Sequence, residues 1–128
     1  MSVTIDDLEA ATALVQLYID GAGGDVEKLK EAFHSTATMM GHIGSMETYI
    51  PIAEFFAMIE NSPPLPGPGY KAVIRSIDIT GDAGVAVLTE TDYMGCDFVD
   101  YFAVTRIDAR WWITHKNYAH TGGQPPSA

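Results

Sequence analysis

A chain of 128 residues that is 47% hydrophobic and 19% charged has the composition of one globular domain with a single sizeable core. Its 17 acidic and 7 scattered basic residues give a net charge of -10, which argues against nucleic acid and against an anionic membrane surface as partners. No apolar run reaches membrane-spanning length, the acidic N-terminus lacks the order of a signal peptide, and the single cysteine, Cys96, has no internal disulfide partner, so the expected location is cytoplasmic.

From Thr4 to Asp20 the apolar residues Ile5, Leu8, Ala11, Val15 and Ile19 recur at three- and four-residue steps, the period of an amphipathic helix. Thr4 with Asp7 forms a plausible N-terminal cap, and "GAGGD" ends the helix. Asp25 is placed to cap a short second helix, "VEKLKEAF". "TATMMGHI" has the β-branched and apolar content of a strand, with Gly41 and Gly44 marking a bulge or turn. Pro51 suits the first turn of a third helix, "IAEFFAMIE", and "NSPPLPGPG", with four prolines in six positions, stops it.

The second half changes character. "YKAVIRSIDI", "GVAVLTETDY", "FVDYFAVTRI" and "WWITHKNYAH" are four β-rich runs joined by short connections, which predicts an antiparallel meander. The order α, α, β, α and four strands is that of an α+β domain, a curved sheet with its helices gathered on one face. The expected domain spans residues 1–120, and "TGGQPPSA" (121–128) reads as a flexible C-terminal tail. Strict alternation in the last strand puts Trp111, Ile113, His115 and Asn117 on one face and Trp112, Thr114, Lys116 and Tyr118 on the other. Both faces are apolar enough to be covered, so a homodimer through the sheet face is expected.

The element order, together with "GDVEKLKEAFHSTATM" and "VDYFAVTRIDARWWITHK", resembles the nuclear transport factor 2-like superfamily over roughly residues 5 to 120. It looks most like the putative lumazine-binding group and, at greater distance, ketosteroid isomerases and polyketide cyclase-like proteins. The resemblance implies a cone: a mainly antiparallel sheet wrapped around three N-terminal helices, with a mostly apolar pocket at the wide end. It also carries over Tyr18, in "VQLYI", and Asp100, in "VDYF", as a pair that would hydrogen-bond a developing oxyanion. A carboxyl among Phe98, Val99, Tyr101 and Phe102 would resist ionisation in a dry cavity. The position of the isomerase's general-base carboxylate falls on Gly41, which has no side chain to act.

His42 and His115 are the remaining candidates for moving a proton. His34, Met39, Phe55, Trp111 and Tyr93 are candidates for contacting the ligand, Met39 as an adaptable wall and the aromatics by stacking. Lys116 reads as a surface or interface residue. The spacing of the histidines matches no metal-ligand pattern, and no dinucleotide or phosphate-loop signature is present, so no metal and no cofactor are expected. The expected function is a small-molecule-binding protein for a planar or polycyclic ligand. An isomerase, dehydratase or cyclase working by proton transfer, and a structural dimerisation module with a filled cavity, are the alternatives.

Overall fold

A computed structural model describes residues 5–64 and 67–125. Three helices, α1 (Ile5–Ala22), α2 (Val26–Ala32) and α3 (Ile52–Asn61), accompany six strands: β1 (Phe33–Ile43), β2 (Met46–Pro51), β3 (Lys71–Thr80), β4 (Ala83–Tyr93), β5 (Cys96–Ile107) and β6 (Arg110–Gly123). The strands form one open sheet in the order β2-β1-β6-β5-β4-β3. All neighbours are antiparallel except β1 and β6, which run parallel. The helices pack on one face of this sheet, giving the α+β cone that the resemblance implied.

The helices follow from their sequence. Leu14, Val15, Tyr18 and Ala22, three and four residues apart, form the buried stripe of α1. The α1 to α2 turn closes tightly because Gly21 has no side chain: a Cβ there would lie 2.8 Å from the Leu29 side chain. Asp25 sits at the N-cap of α2 but makes no side-chain cap hydrogen bond, and Thr4 lies outside the described residues. Pro51 is the cap residue of α3, where its fixed φ and missing N–H carry no penalty.

Two differences from the sequence expectation concern strands. The first strand is longer than "TATMMGHI", beginning at Phe33, and a second one, Met46–Pro51, pairs with it across a tight turn at Gly44. β6 also continues through Thr121–Gly123, paired with Cys96 and Asp97, into the segment expected as tail.

A third difference positions the site. Val104 pairs with Ile113 but Ala103 pairs with His115, so Thr114 is an extra residue, a β-bulge. Its hydroxyl is 2.9 Å from that of Thr105. The bulge resets the alternation of β6. Trp111 and Ile113 face the helices, and beyond the bulge Lys116 and Tyr118 take over that face while His115 turns outward. The inner face then reads in rows across the sheet: Met39, Lys116, Phe102 and Ala86 in one, Gly41, Tyr118, Asp100 and Leu88 in the next.

Candidate functional site

Between the inner face of the sheet and helices α1 and α3 lies an open cavity of about 520 Å³. Met39, Ile43, Phe55, Met58 and Phe98 are among its apolar walls. Its polar residues include Tyr18, Glu90, Asp100 and Lys116, each of which is also nearly inaccessible to bulk water.

The four form one cluster assembled from α1, β4, β5 and β6. The Lys116 ammonium donates to the Tyr18 hydroxyl at 2.8 Å. That hydroxyl lies 3.4 Å from Glu90 Oε1, toward which it donates, and Tyr70 donates to Glu90 Oε2 at 2.7 Å. Asp100 interacts with Glu90 beside it, while its Oδ2 has no partner among the described residues. Burial, together with the neighbouring Glu90, raises the Asp100 pKa well above the usual carboxylate range, against the opposing pull of Lys116. One cation facing two carboxyl groups is neutral overall when one of them keeps its proton, and burial favours Asp100 for that role. Burial, and after it the charge of Glu90, likewise raise the Tyr18 pKa well above the ordinary phenol value.

Lys116 also sits within an aromatic box, with Nζ 4.8 Å from the ring centres of Tyr18 and Phe55 and 5.1 Å from that of Tyr118. Gly41 belongs to the same construction. A Cβ at residue 41 would lie 2.7 Å from the Tyr118 ring, so the ring occupies the space that a carboxylate side chain would need. The position where the isomerase pattern has its base is structurally closed to any side chain unless Tyr118 moves.

Of the residues expected in a pocket, Tyr18, Asp100, Met39, Phe55 and Tyr93 line this cavity. Tyr93 also donates to the Ala22 carbonyl at 2.7 Å. Four do not, and their expected placement is corrected. His115 is turned outward by the Thr114 bulge and bonds Thr38 Oγ1 at 2.7 Å. His42, one residue past Gly41, lies on the outer face with its side chain 61% exposed, 3.3 Å from Glu47. Trp111 is packed in the core and its ring N–H donates to Asp7 at 3.1 Å. His34 lines a separate cleft with Phe33, Phe56 and Trp112. Lys116, expected at the surface, is at the centre of the cavity cluster, and Glu90 was not singled out at all. The signal for Glu90 is its register: Ala86, Leu88 and Glu90 alternate on one face of β4, which aims an acid where two apolar residues already point. The signal for Lys116 is hidden by the bulge. Among the described residues no group of three or more His, Cys, Asp or Glu could hold a metal ion, and no helix is long and apolar enough to cross a membrane.

The model of the family described as putative lumazine-binding matches residues 6–119. The chain belongs to this family. Solved structures place it among nuclear transport factor 2-like folds. An NTF2-like protein of unknown function from Shewanella baltica OS155 is 28% identical, with a TM-score of 0.84 over 95% of this chain and 99% of that one. Another from Methylobacillus flagellatus KT is 25% identical, with a TM-score of 0.84 over 94% and 97%. A ketosteroid isomerase-like protein from Erwinia carotovora atroseptica SCRI1043, at 13% identity and a TM-score of 0.69 over 93% and 99%, shares the fold alone. No curated protein matches the sequence.

Proposed function

We propose that this member of the lumazine-binding family is a small-molecule-binding protein whose cavity takes a planar apolar ligand with a polar tip. The observation that carries the reading is the pairing of a cavity of about 520 Å³ with a buried carboxyl oxygen, Asp100 Oδ2, that has no partner among the described residues. The volume suits a compact ligand. An unsatisfied buried polar atom is costly, and a ligand oxygen or nitrogen beside Lys116 and Tyr18 would satisfy it. The family description points to the same shape, since lumazine is a flat bicyclic heterocycle. An open cavity argues against the filled, purely structural cone.

Calorimetric titration of 2-naphthol into the wild type and into Asp100→Asn and Tyr18→Phe variants tests the reading. Binding should weaken by about 1 kcal/mol or more in each variant. Absence of binding to every form would remove the support for this ligand class.

A second reading, an isomerase, dehydratase or cyclase, is favoured by one observation: two interacting carboxyl groups, Asp100 and Glu90, both line the cavity, and a proton held by one can be taken by the other. The base would be Glu90 rather than a histidine. Exchange of the α-hydrogens of 2-tetralone in deuterium oxide, followed by NMR, should then exceed the blank and vanish in Glu90→Gln.

The cytoplasmic location proposed from the acidic composition and the lone cysteine accompanies either reading. So does a homodimer through the outer sheet face, where Met40, Val73, Val85 and Tyr101 are exposed. Sedimentation of Tyr101→Asp as a monomer, against a dimeric wild type, would support that assembly, and a monomeric wild type would end it.

A further inference from the structure

The cluster contains more than ligand recognition needs. Lys116 is a primary amine in an apolar, aromatic-lined cavity, and it donates a hydrogen bond to a phenol that in turn leans on a carboxylate. A buried lysine of this kind, supplied with groups that take its proton and return one to a departing oxygen, has the parts list of a carbonyl-capturing nucleophile. A purely structural counter-ion to Glu90 would not require the amine to line an open cavity. Nor would it require a second acid beside it.

We propose that Lys116 captures aldehydes or ketones in this cavity as a reversible imine, so that the ligand class is a flat apolar body bearing a carbonyl group. The inference rests on the cavity-binding reading and names the chemistry of its polar tip.

The geometry supplies each transfer. The ammonium of Lys116 gives one proton to the Tyr18 oxygen, 2.8 Å away, as Tyr18 passes its own to Glu90 Oε1 at 3.4 Å. The freed amine attacks the carbonyl carbon, forming a C–N bond while the C=O π bond breaks. The proton that the nitrogen sheds on attack moves to the former carbonyl oxygen. Asp100, whose Oδ2 has no other partner among the described residues, then protonates that hydroxyl. The C–O bond breaks, water leaves, and the nitrogen lone pair completes a protonated C=N bond. Glu90 ends protonated and Asp100 ionised, so the net charge of the cluster is unchanged. No oxidant, reductant or metal enters the step, and hydrolysis runs it backward. The box of Tyr18, Phe55 and Tyr118 rings suits the product, because an iminium is as good a partner for an aromatic face as the ammonium it replaces. Tyr70, donating to Glu90 Oε2 at 2.7 Å, holds the proton acceptor in place.

The test is reductive trapping on the folded wild-type protein. 2-Naphthaldehyde is added at neutral pH with cyanoborohydride, which reduces imines faster than aldehydes, and the modified peptides are located by mass spectrometry. The expected result is modification concentrated at Lys116, faster than at the surface residues Lys28, Lys30 and Lys71, and slowed by roughly tenfold or more in Tyr18→Phe. Lys116→Arg, which has no primary amine, should lose the trapped adduct while the surface lysines are still labelled. Labelling of Lys116 no faster than of the surface lysines overturns the inference. If 2-naphthol still binds in that case, the cavity-binding reading survives without the imine. If it does not, both fall together.

Discussion

Asp100 provides the sharpest test of the electrostatic account. Its carboxyl is 1% exposed, and burial and Glu90 raise its native pKa, while in the unfolded chain it titrates near the ordinary value of about 3.9. An acid whose native pKa is the higher one binds more protons folded than unfolded. Its contribution to stability is therefore fully present below the unfolded pKa and is lost as pH rises, until the native carboxyl itself ionises. The slope has a ceiling of about 1.4 kcal/mol per pH unit for one proton. Asp100→Asn replaces the protonated acid with a near-isostere that still donates a hydrogen bond but has no ionisation to suppress. The other groups remain in both proteins, so the stability difference between them reports Asp100 together with its interaction with Glu90 and Lys116. Urea unfolding, followed through the fluorescence of Trp111 and Trp112 at several pH values above about 4, should show the wild type losing ground to the variant as pH increases, by up to about 1.4 kcal/mol per unit. Parallel stability curves across that range would mean that Asp100 titrates alike in both states. The reasoning about its buried, proton-holding role would then be refuted.

Two further substitutions probe the scaffold around the cavity. Gly41→Ala introduces a Cβ 2.7 Å from Tyr118 ring atoms, in a row where Asp100 flanks the ring on its other side, so stability should fall by about 1–3 kcal/mol in denaturant titrations. An unchanged midpoint would show that the ring moves freely. Ala109 occupies the second position of the β5 to β6 turn at φ 65°, following Asp108 at φ 52°, a left-handed pair that suits glycine better than alanine. Ala109→Gly should raise stability by about 0.5 kcal/mol, relief of strain outweighing the added freedom of the unfolded chain, and a lowered melting temperature would contradict this.

What could be read from the sequence divides along physical lines. The period of α1, the proline that opens α3 and the short connections of β3 to β6 are local features, and they sufficed for the α+β class and for the cone that the resemblance implied. The strand Met46–Pro51 was not legible because it is a short edge strand whose inward residues Thr48 and Ile50 are only half-buried, so its apolar alternation is weak. Tyr18 and Asp100 were legible through the resemblance. Glu90 was not, because an acidic residue on a strand is ordinarily solvated, and the phenols that let it stay buried come from positions 20 and 72 residues away.

Lys116 and His115 were exchanged for a different reason, and it yields a test of register. Simple alternation from Trp111 places His115 inward and Lys116 outward, whereas the bulge at Thr114 places them the other way round. The two arrangements respond oppositely to deletion of Thr114. If that residue is the unpaired one, removing it leaves His115 opposite Ala103 and Lys116 opposite Phe102, the pairing they already have, and the inward face of the strand is preserved. Some twist is lost with the bulge, along with the hydroxyl contact to Thr105, so a modest loss of stability is expected. If instead the strand alternated without interruption, the same deletion would turn every residue beyond it to the opposite face, taking Tyr118 from one side of the sheet to the other. Binding of 2-naphthol to the deletion protein separates these cases. Affinity retained within roughly tenfold places Lys116 and Tyr118 in the cavity by virtue of the bulge. A folded deletion protein that had lost the ligand would show instead that Thr114 is part of the regular ladder, and the cluster around Lys116 would have to be redrawn.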